Sequence, residues 1–205
     1  MTDKPNQLYR IEKDEAARAG EVLADAFKED PLWRAVFADS PPEQIKAFFE
    51  TPVRYCIKYG EVYAPSAKIE GVAAWIPGQY SEMTFWRMIA SGSFWSSMKS
   101  GQEMVRQYQE IFEPIEQDRR EYMGENPYIY LYIIGVARQH QGKGYGRMLL
   151  EGLIEKSENQ GLPIYLETET EDNARMYERF GFEIIQVVQL PLVDLPMWEM
   201  VRYPQ

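Results

Sequence analysis

No part of this chain leaves fewer folds open than the run from Tyr128 to Ile154. Tyr128 to Val136 is apolar or aromatic at nearly every position. Five residues later comes Gln141-Gly142-Lys143-Gly144-Tyr145-Gly146-Arg147, followed by Met148, Leu149, Leu150, Leu153 and Ile154 at helical spacing. A strand with no polar face is covered on both sides, so it belongs in the middle of a sheet. Three glycines at alternate positions bare the backbone where the helix begins. The N–H groups of such a turn, with the helix dipole behind them, form a ready anion cradle. A helix start needs one cap, and each glycine lowers helix propensity, so the glycines point to a phosphate-type ligand.

The rest of the chain reads as mixed α/β. Gln7 to Glu12 alternates as a short strand, Asp14 caps a helix to Phe27, and Asp30-Pro31 opens a second helix with Pro in its first turn. Pro42 opens a third, which Gly60 stops; Val62–Pro65 and Gly71–Ile76 read as a hairpin. Ser81 to Met123 reads as two helices broken near Gly101. After the glycine turn come a helix to Gly161, a strand from Pro163 to Thr168, a helix from Asp172 to Phe180, and strands at Phe182–Leu190 and Met197–Arg202. The strand–helix–strand unit favours a parallel pair. The expected organisation is one domain over 1–205 with a helical insertion at about 81–124.

Composition removes several function classes. The net charge of −10 argues against a nucleic-acid partner and is compatible with a cationic substrate. With one cysteine, Cys56, and one histidine, His140, the chain has no candidates for an intrachain disulfide, a cysteine or histidine metal cluster, or a spare Ser-His-Asp triad. No apolar run is long enough to cross a bilayer, and Met1 to Pro5 lacks a signal-peptide core. The expectation is a cytoplasmic protein with no metal and no membrane partner, monomer or homodimer. Cys56 reads as a core residue and His140 as an exposed turn residue.

Three nucleotide-type patterns compete for the turn. A Walker P-loop fails because Gly144 follows Lys143 and Ala137 stands where the first glycine belongs. A dinucleotide fingerprint is disfavoured by its spacing, with Arg147 at the third glycine position, although Glu167 does end a following strand. The third pattern is Gln-x-x-Gly-x-Gly, met by Gln141, Gly144 and Gly146. With Ile134 to Leu150 around it, it closely resembles the acetyl-CoA-binding motif of the GNAT family of N-acetyltransferases. Downstream, the segment from Asn173 through Tyr177 to Gly181 and Phe182 is similar to a second motif of that family, in the same order. The resemblance covers Tyr128 to Arg202 well, and the N-terminal half in element order. Ala26-Phe27, Asp30-Pro31, Tyr165 to Thr168 and Met197 to Arg202 look most like the branch that includes puromycin N-acetyltransferase.

The resemblance implies a mostly antiparallel sheet of about seven strands, helices on both faces, and a central parallel pair that splays beside the glycine turn. It implies that Gln141, Gly142, Lys143, Gly144, Tyr145, Gly146 and Arg147 hold the coenzyme A pyrophosphate, since glycine lets main chain approach phosphates without a Cβ in the way. Backbone groups of Ile134 and Val136 would pair with the pantetheine arm, and the Val136 N–H would face the thioester oxygen. Gly135 would permit a bulge at the splay. Asn173, one turn from Tyr177, would bond the pantetheine arm, and Tyr177 would protonate the leaving thiolate. The amine must lose a proton before attack. Glu167, with Glu169 on the same side by alternation, would relay that proton or bind the ammonium; an edge carboxylate paired with Arg175 or Arg179 is an equal reading.

The implied activity is acetyl-CoA-dependent N-acetylation of a small amine. A non-catalytic acyl-CoA-binding or sensor protein on the same fold is the alternative, and a dinucleotide-binding oxidoreductase the weaker one. The insertion is rich in aromatic residues. It would wall an acceptor pocket, or else serve as packing helices or a dimer surface.

Overall fold

The computed structural model describes residues 8–38 and 40–205. In chain order, β1 (Tyr9–Arg10) is followed by α1 (Ala16–Ala26), α2 (Pro31–Val36), α3 (Pro42–Tyr59), β2 (Glu61–Ala64) and β3 (Gly71–Pro77). Then come α4 (Phe85–Ser91), α5 (Ser93–Ser100), α6 (Gln102–Met123), β4 (Ile129–Val136), α7 (Tyr145–Gln160), β5 (Ile164–Thr168), α8 (Glu171–Glu178), β6 (Glu183–Gln189) and β7 (Pro196–Arg202). The described strands form one sheet of seven in the order β1-β2-β3-β4-β5-β7-β6. Every neighbouring pair is antiparallel except β4 with β5. The mixed α/β architecture expected from the sequence is the one found, with β4 in the middle.

Both faces of the sheet are covered. One core gathers Leu23, Phe49, Val53, Ile111, Ile115 and Tyr130, placing α1, α3 and α6 on one face. The other gathers Leu149, Leu150, Leu153, Ala174 and Tyr177 against Leu131, Leu166 and Met200, placing α7 and α8 on the opposite face. Burial on both sides is why the central strands lack the usual apolar–polar alternation.

Local differences from the sequence reading have physical causes. The first strand is shorter than expected, and Gln7 and the Met1–Pro5 segment lie outside the described residues. Asp14 does not cap α1. It sits inside a 3₁₀ turn over residues 13–15, and the Glu15 carboxylate accepts from the Glu12 N–H at 3.1 Å instead. Asp30 does cap α2, its Oδ1 accepting from the N–H groups of Leu32 (3.0 Å) and Trp33 (3.2 Å). The segment after β3 holds three helices rather than two. It breaks at Gly101 as expected and also at Gly92, whose φ of +78° few other residues adopt.

Gly135 does not make the bulge on β4. A Cβ there would lie 3.0 Å from Ala26 Cβ and 3.1 Å from Phe27 Cε2, so this glycine lets α1 lie against the sheet. The bulge falls three residues earlier. Ala74 pairs with Ile133 and Trp75 with Leu131, leaving Tyr132 without a partner on β3. Tyr132 and Ile133 consequently pack into the same core, while Ile134 packs into the other.

Candidate functional site

The parallel pairing of β4 and β5 is confined to Ile129 with Ile164 and Tyr130 with Tyr165. Beyond those residues β4 runs on to Val136 and β5 to Thr168, so the two strands part in mid-sheet. The Ala137 N–H donates to Glu70 O on the β3 side at 3.0 Å. Alternation then turns the main-chain groups of Ile134 and Val136 toward the open side. The Val136 carbonyl is met by Gln141 Nε2 at 3.1 Å. The glutamine of the turn is therefore tied to the end of the splayed strand.

The turn itself is anchored. The Arg138 N–H donates to Asp25 Oδ2 at 2.8 Å, and its guanidinium meets Glu29 at 3.1 Å, fixing the turn to the end of α1 and the residues after it. Lys143 Nζ donates to Gln139 O at 2.9 Å, and Arg147 pairs with Glu151 at 2.7 Å. Gly142 and Gly144 have φ of +73° and +85°, and a Cβ built on either meets, among the described residues and apart from its chain neighbours, no atom within 4 Å. The space beside these two glycines is open. A Cβ on Gly146 would lie 3.7 Å from Val136 Cγ2, so the start of α7 sits against the end of β4. Among the described residues no side chain caps the N-terminus of α7, which leaves the first N–H groups of this 16-residue helix open to an acceptor. His140 lies in the 3₁₀ turn before the glycines, part-exposed, and Cys56 is buried in the core.

A cavity of about 770 Å³ opens at the splay. Of the residues singled out from sequence, Ile134, Glu167, Asn173 and Tyr177 line it, as does Glu169. Its walls also draw on Trp33 of α2, Phe48 and Phe49 of α3, and Phe112, Glu113 and Glu116 of α6. Parting β4 from β5 lets residues from both cores reach one space: Trp33 and Tyr130 belong to one, Leu131 and Tyr177 to the other. Gly135, Val136 and the glycine turn are not part of this wall.

The acids of the cavity are not equivalent. Glu167 accepts from Arg119 Nη1 at 2.9 Å, with both side chains more than nine-tenths buried. The same guanidinium lies 4.3 Å from the centre of the Tyr130 ring. Among the described residues neither Arg175 nor Arg179 pairs with Glu167; Arg175 pairs with Glu171. Glu169 has no cationic partner among the described residues, and burial, with Asp30 nearby, pushes its carboxyl up to about 8. Burial likewise raises Glu116, against the pull of Arg119 and Arg120, and holds the Tyr177 phenol above its ordinary value. Next to Glu167 on β7, its cross-strand neighbour Glu199 is buried and accepts from Tyr165 Oη at 2.5 Å.

Sequence reasoning did not single out Arg119, Trp33 or Glu116. Arg119 carried a signal: it interrupts an apolar stripe at four-residue spacing on α6 whose other members, Ile111, Ile115 and Met123, are all buried. A charged residue at a core position implies a buried partner. Trp33 and Glu116 become site residues only through the packing of α2 and α6 over the splay.

A profile described as the acetyltransferase (GNAT) family matches residues 75–182. An uncharacterised N-acetyltransferase of Schizosaccharomyces pombe is 27% identical over 206 residues, spanning 96% of this chain and 83% of the relative. Among solved structures, arylalkylamine N-acetyltransferase 2 of Aedes aegypti superposes with a TM-score of 0.65 at 14% identity, covering 97% of this chain and 99% of the other. The Drosophila melanogaster polyamine N-acetyltransferase, which catalyses the formation of N-acetylagmatine, gives 0.64 at 14% identity over 96% and 99%.

Proposed function

The chain belongs to the acetyltransferase (GNAT) family, and on that basis we propose that it transfers an acetyl group from acetyl-CoA to the amine of a small molecule by direct attack. The observation that carries the reading is the cavity at the β4–β5 splay, lined by Ile134, Glu167, Asn173 and Tyr177, with the uncapped glycine turn of α7 beyond it.

The open, positive-φ turn fits a pyrophosphate. The N–H groups between Gln141 and Arg147 would hold the charged end of acetyl-CoA, where no Cβ intervenes at Gly142, Gly144 or Gly146. Ile134 and Val136, whose main chain faces the open side, would pair with the pantetheine arm as an added strand, and Asn173 would bond it from α8. The Val136 N–H would face the thioester oxygen and stabilise the oxyanion of the tetrahedral intermediate.

Tyr177 would give its proton to the departing thiolate. Burial keeps this phenol protonated, the state in which it can donate. Glu167, paired with Arg119, would keep a fixed negative charge on the acceptor side. Carboxylates and aromatic rings lining the same cavity support an amine acceptor, cationic in solution and part apolar. The structural relatives named for polyamine and arylalkylamine acetylation fall within that chemistry.

Incubating the protein with acetyl-CoA and a panel of amines, and following release of CoA thiol, tests this function. Phenethylamine, tryptamine, agmatine and spermidine cover the aromatic and polycationic ends. Turnover of at least one amine, abolished when acetyl-CoA is replaced by desulfo-CoA, is expected. Acetyl-CoA binding with no turnover of any amine would favour a non-catalytic acyl-CoA-binding protein instead.

A further inference from the structure

Two carboxylates follow one another along one side of β5, and their surroundings divide the work between them. Glu167 is locked to Arg119 at 2.9 Å in a buried ion pair. Burial raises its carboxyl while the Arg119 guanidinium pulls it back down, and protonating it would strand that buried guanidinium, so its charge is committed to Arg119. Glu169 lies one residue past the end of β5, further along the splay, and part-buried. Near it are the Asp30 carboxylate at the start of α2, the Trp33 indole, the Tyr177 phenol of α8 and Glu167 itself. The buried Trp33 Nε1 lies beside the Glu169 carboxyl and favours its charged form. Asp30 is engaged by the N–H groups of Leu32 and Trp33, which leaves Glu169 as the carboxyl at this end of the cavity with no cationic partner among the described residues.

We propose that Glu169, rather than Glu167, seats the acceptor ammonium and takes its proton. The inference rests on the acetyltransferase reading. A proton passes from the ammonium to a Glu169 oxygen, and the freed lone pair forms the C–N bond at the thioester carbonyl. Collapse of the tetrahedral intermediate breaks the C–S bond. Tyr177 protonates the thiolate and recovers a proton from the new amide nitrogen, while Glu169 releases its own to solvent. One proton leaves per acetyl group transferred, so charge and atoms balance.

The surroundings of Glu169 suit the task. Its carboxyl is raised to about 8 by burial and by Asp30, close enough to the ammonium range for proton transfer in neutral solution. The arriving ammonium, being a cation, favours the anionic form that accepts the proton. Because the folded value lies above the unfolded one, this group favours the fold at low pH. That contribution is lost as pH rises from the ordinary carboxylate range toward about 8.

The test compares Glu169→Gln with the wild type on the best amine of the panel. Gln keeps the shape and removes a disfavoured buried charge, so Tm should hold or rise and lose part of its decline between mildly acidic and alkaline pH. Turnover should fall by roughly 100-fold, and the remaining rate should climb with pH toward the ammonium's own ionisation. Glu169→Asp should recover part of the turnover, which a purely structural role would not give. An unchanged pH profile in Glu169→Gln overturns the inference while leaving the acetyltransferase reading intact. A wild type that turns over no amine overturns both.

Discussion

The donor side and the acceptor side of the cleft are built differently. The proposed donor side is a continuous run of chain, β4, the glycine turn, α7, β5 and α8, in which backbone geometry would do most of the binding. The acceptor side is assembled from α2, α3 and α6, separated in sequence and brought together only by packing over the splay. Backbone recognition of a phosphate needs glycines at fixed spacing, which leaves a motif. A side-chain wall needs only volume, charge and aromatic surface, which many sequences supply. The family match over residues 75–182 runs through α6 as well as the glycine turn, but on the proposed reading its fixed spacing lies on the donor side, and substrate choice would lie in the wall.

Besides shared core packing, a buried ion pair joins the two sides, Arg119 of α6 with Glu167 of β5. Cutting it should give the largest effect. Arg119→Met leaves Glu167 buried without a partner, at a cost of about 3–5 kcal/mol. For a chain of this size that is roughly a 10 °C fall in Tm, readable by calorimetry. A fall of under about 2 °C would mean that the two sides are not coupled through this pair.

Removing chemistry while keeping the shape of the cavity comes next. Tyr177→Phe should lower turnover by about 100-fold while leaving acetyl-CoA affinity within a few-fold, as steady-state kinetics with varied acetyl-CoA would report. Unchanged turnover would assign thiolate protonation to water or another group. The smallest effect belongs to the acceptor wall alone. Glu116→Gln should raise the KM for the amine by about fivefold, roughly 1 kcal/mol, with the acetyl-CoA KM unmoved. A shift in the acetyl-CoA KM would undo the division into two sides.

The donor side was legible in the sequence because each element carried a local rule. The unbroken apolar run of β4, the Gln141–Gly144–Gly146 spacing, and Asn173 with Tyr177 one helical turn apart all survive as geometry. So does α3, bounded by Pro42 and Gly60. What failed was local in a different way. Gly135 looked like a bulge residue and is instead the seat of α1, because a close approach and a bulge both select glycine. Asp14 looked like a cap and lost the place to Glu15 when a 3₁₀ turn displaced the helix start. The helix break at Gly92 hid among aromatic residues that read as one continuous helix. The cavity wall left two traces, the aromatic-rich insertion, whose Tyr108 and Phe112 line the cavity, and the buried Arg119 behind it; its members from α2 and α3 are ordinary core types until the fold unites them.

Everything on the donor side depends on the glycine turn holding the pyrophosphate of acetyl-CoA. Titration calorimetry of acetyl-CoA into wild type and Gly144→Asp puts that to the proof. Aspartate tolerates a positive φ, and none of the described residues crowds its Cβ, so the fold should persist by circular dichroism. Its carboxylate would sit against the phosphates, a repulsion of about 4 kcal/mol near a protein surface. Acetyl-CoA affinity should weaken by more than about 100-fold. An affinity equal to that of the wild type would remove the pyrophosphate from the turn.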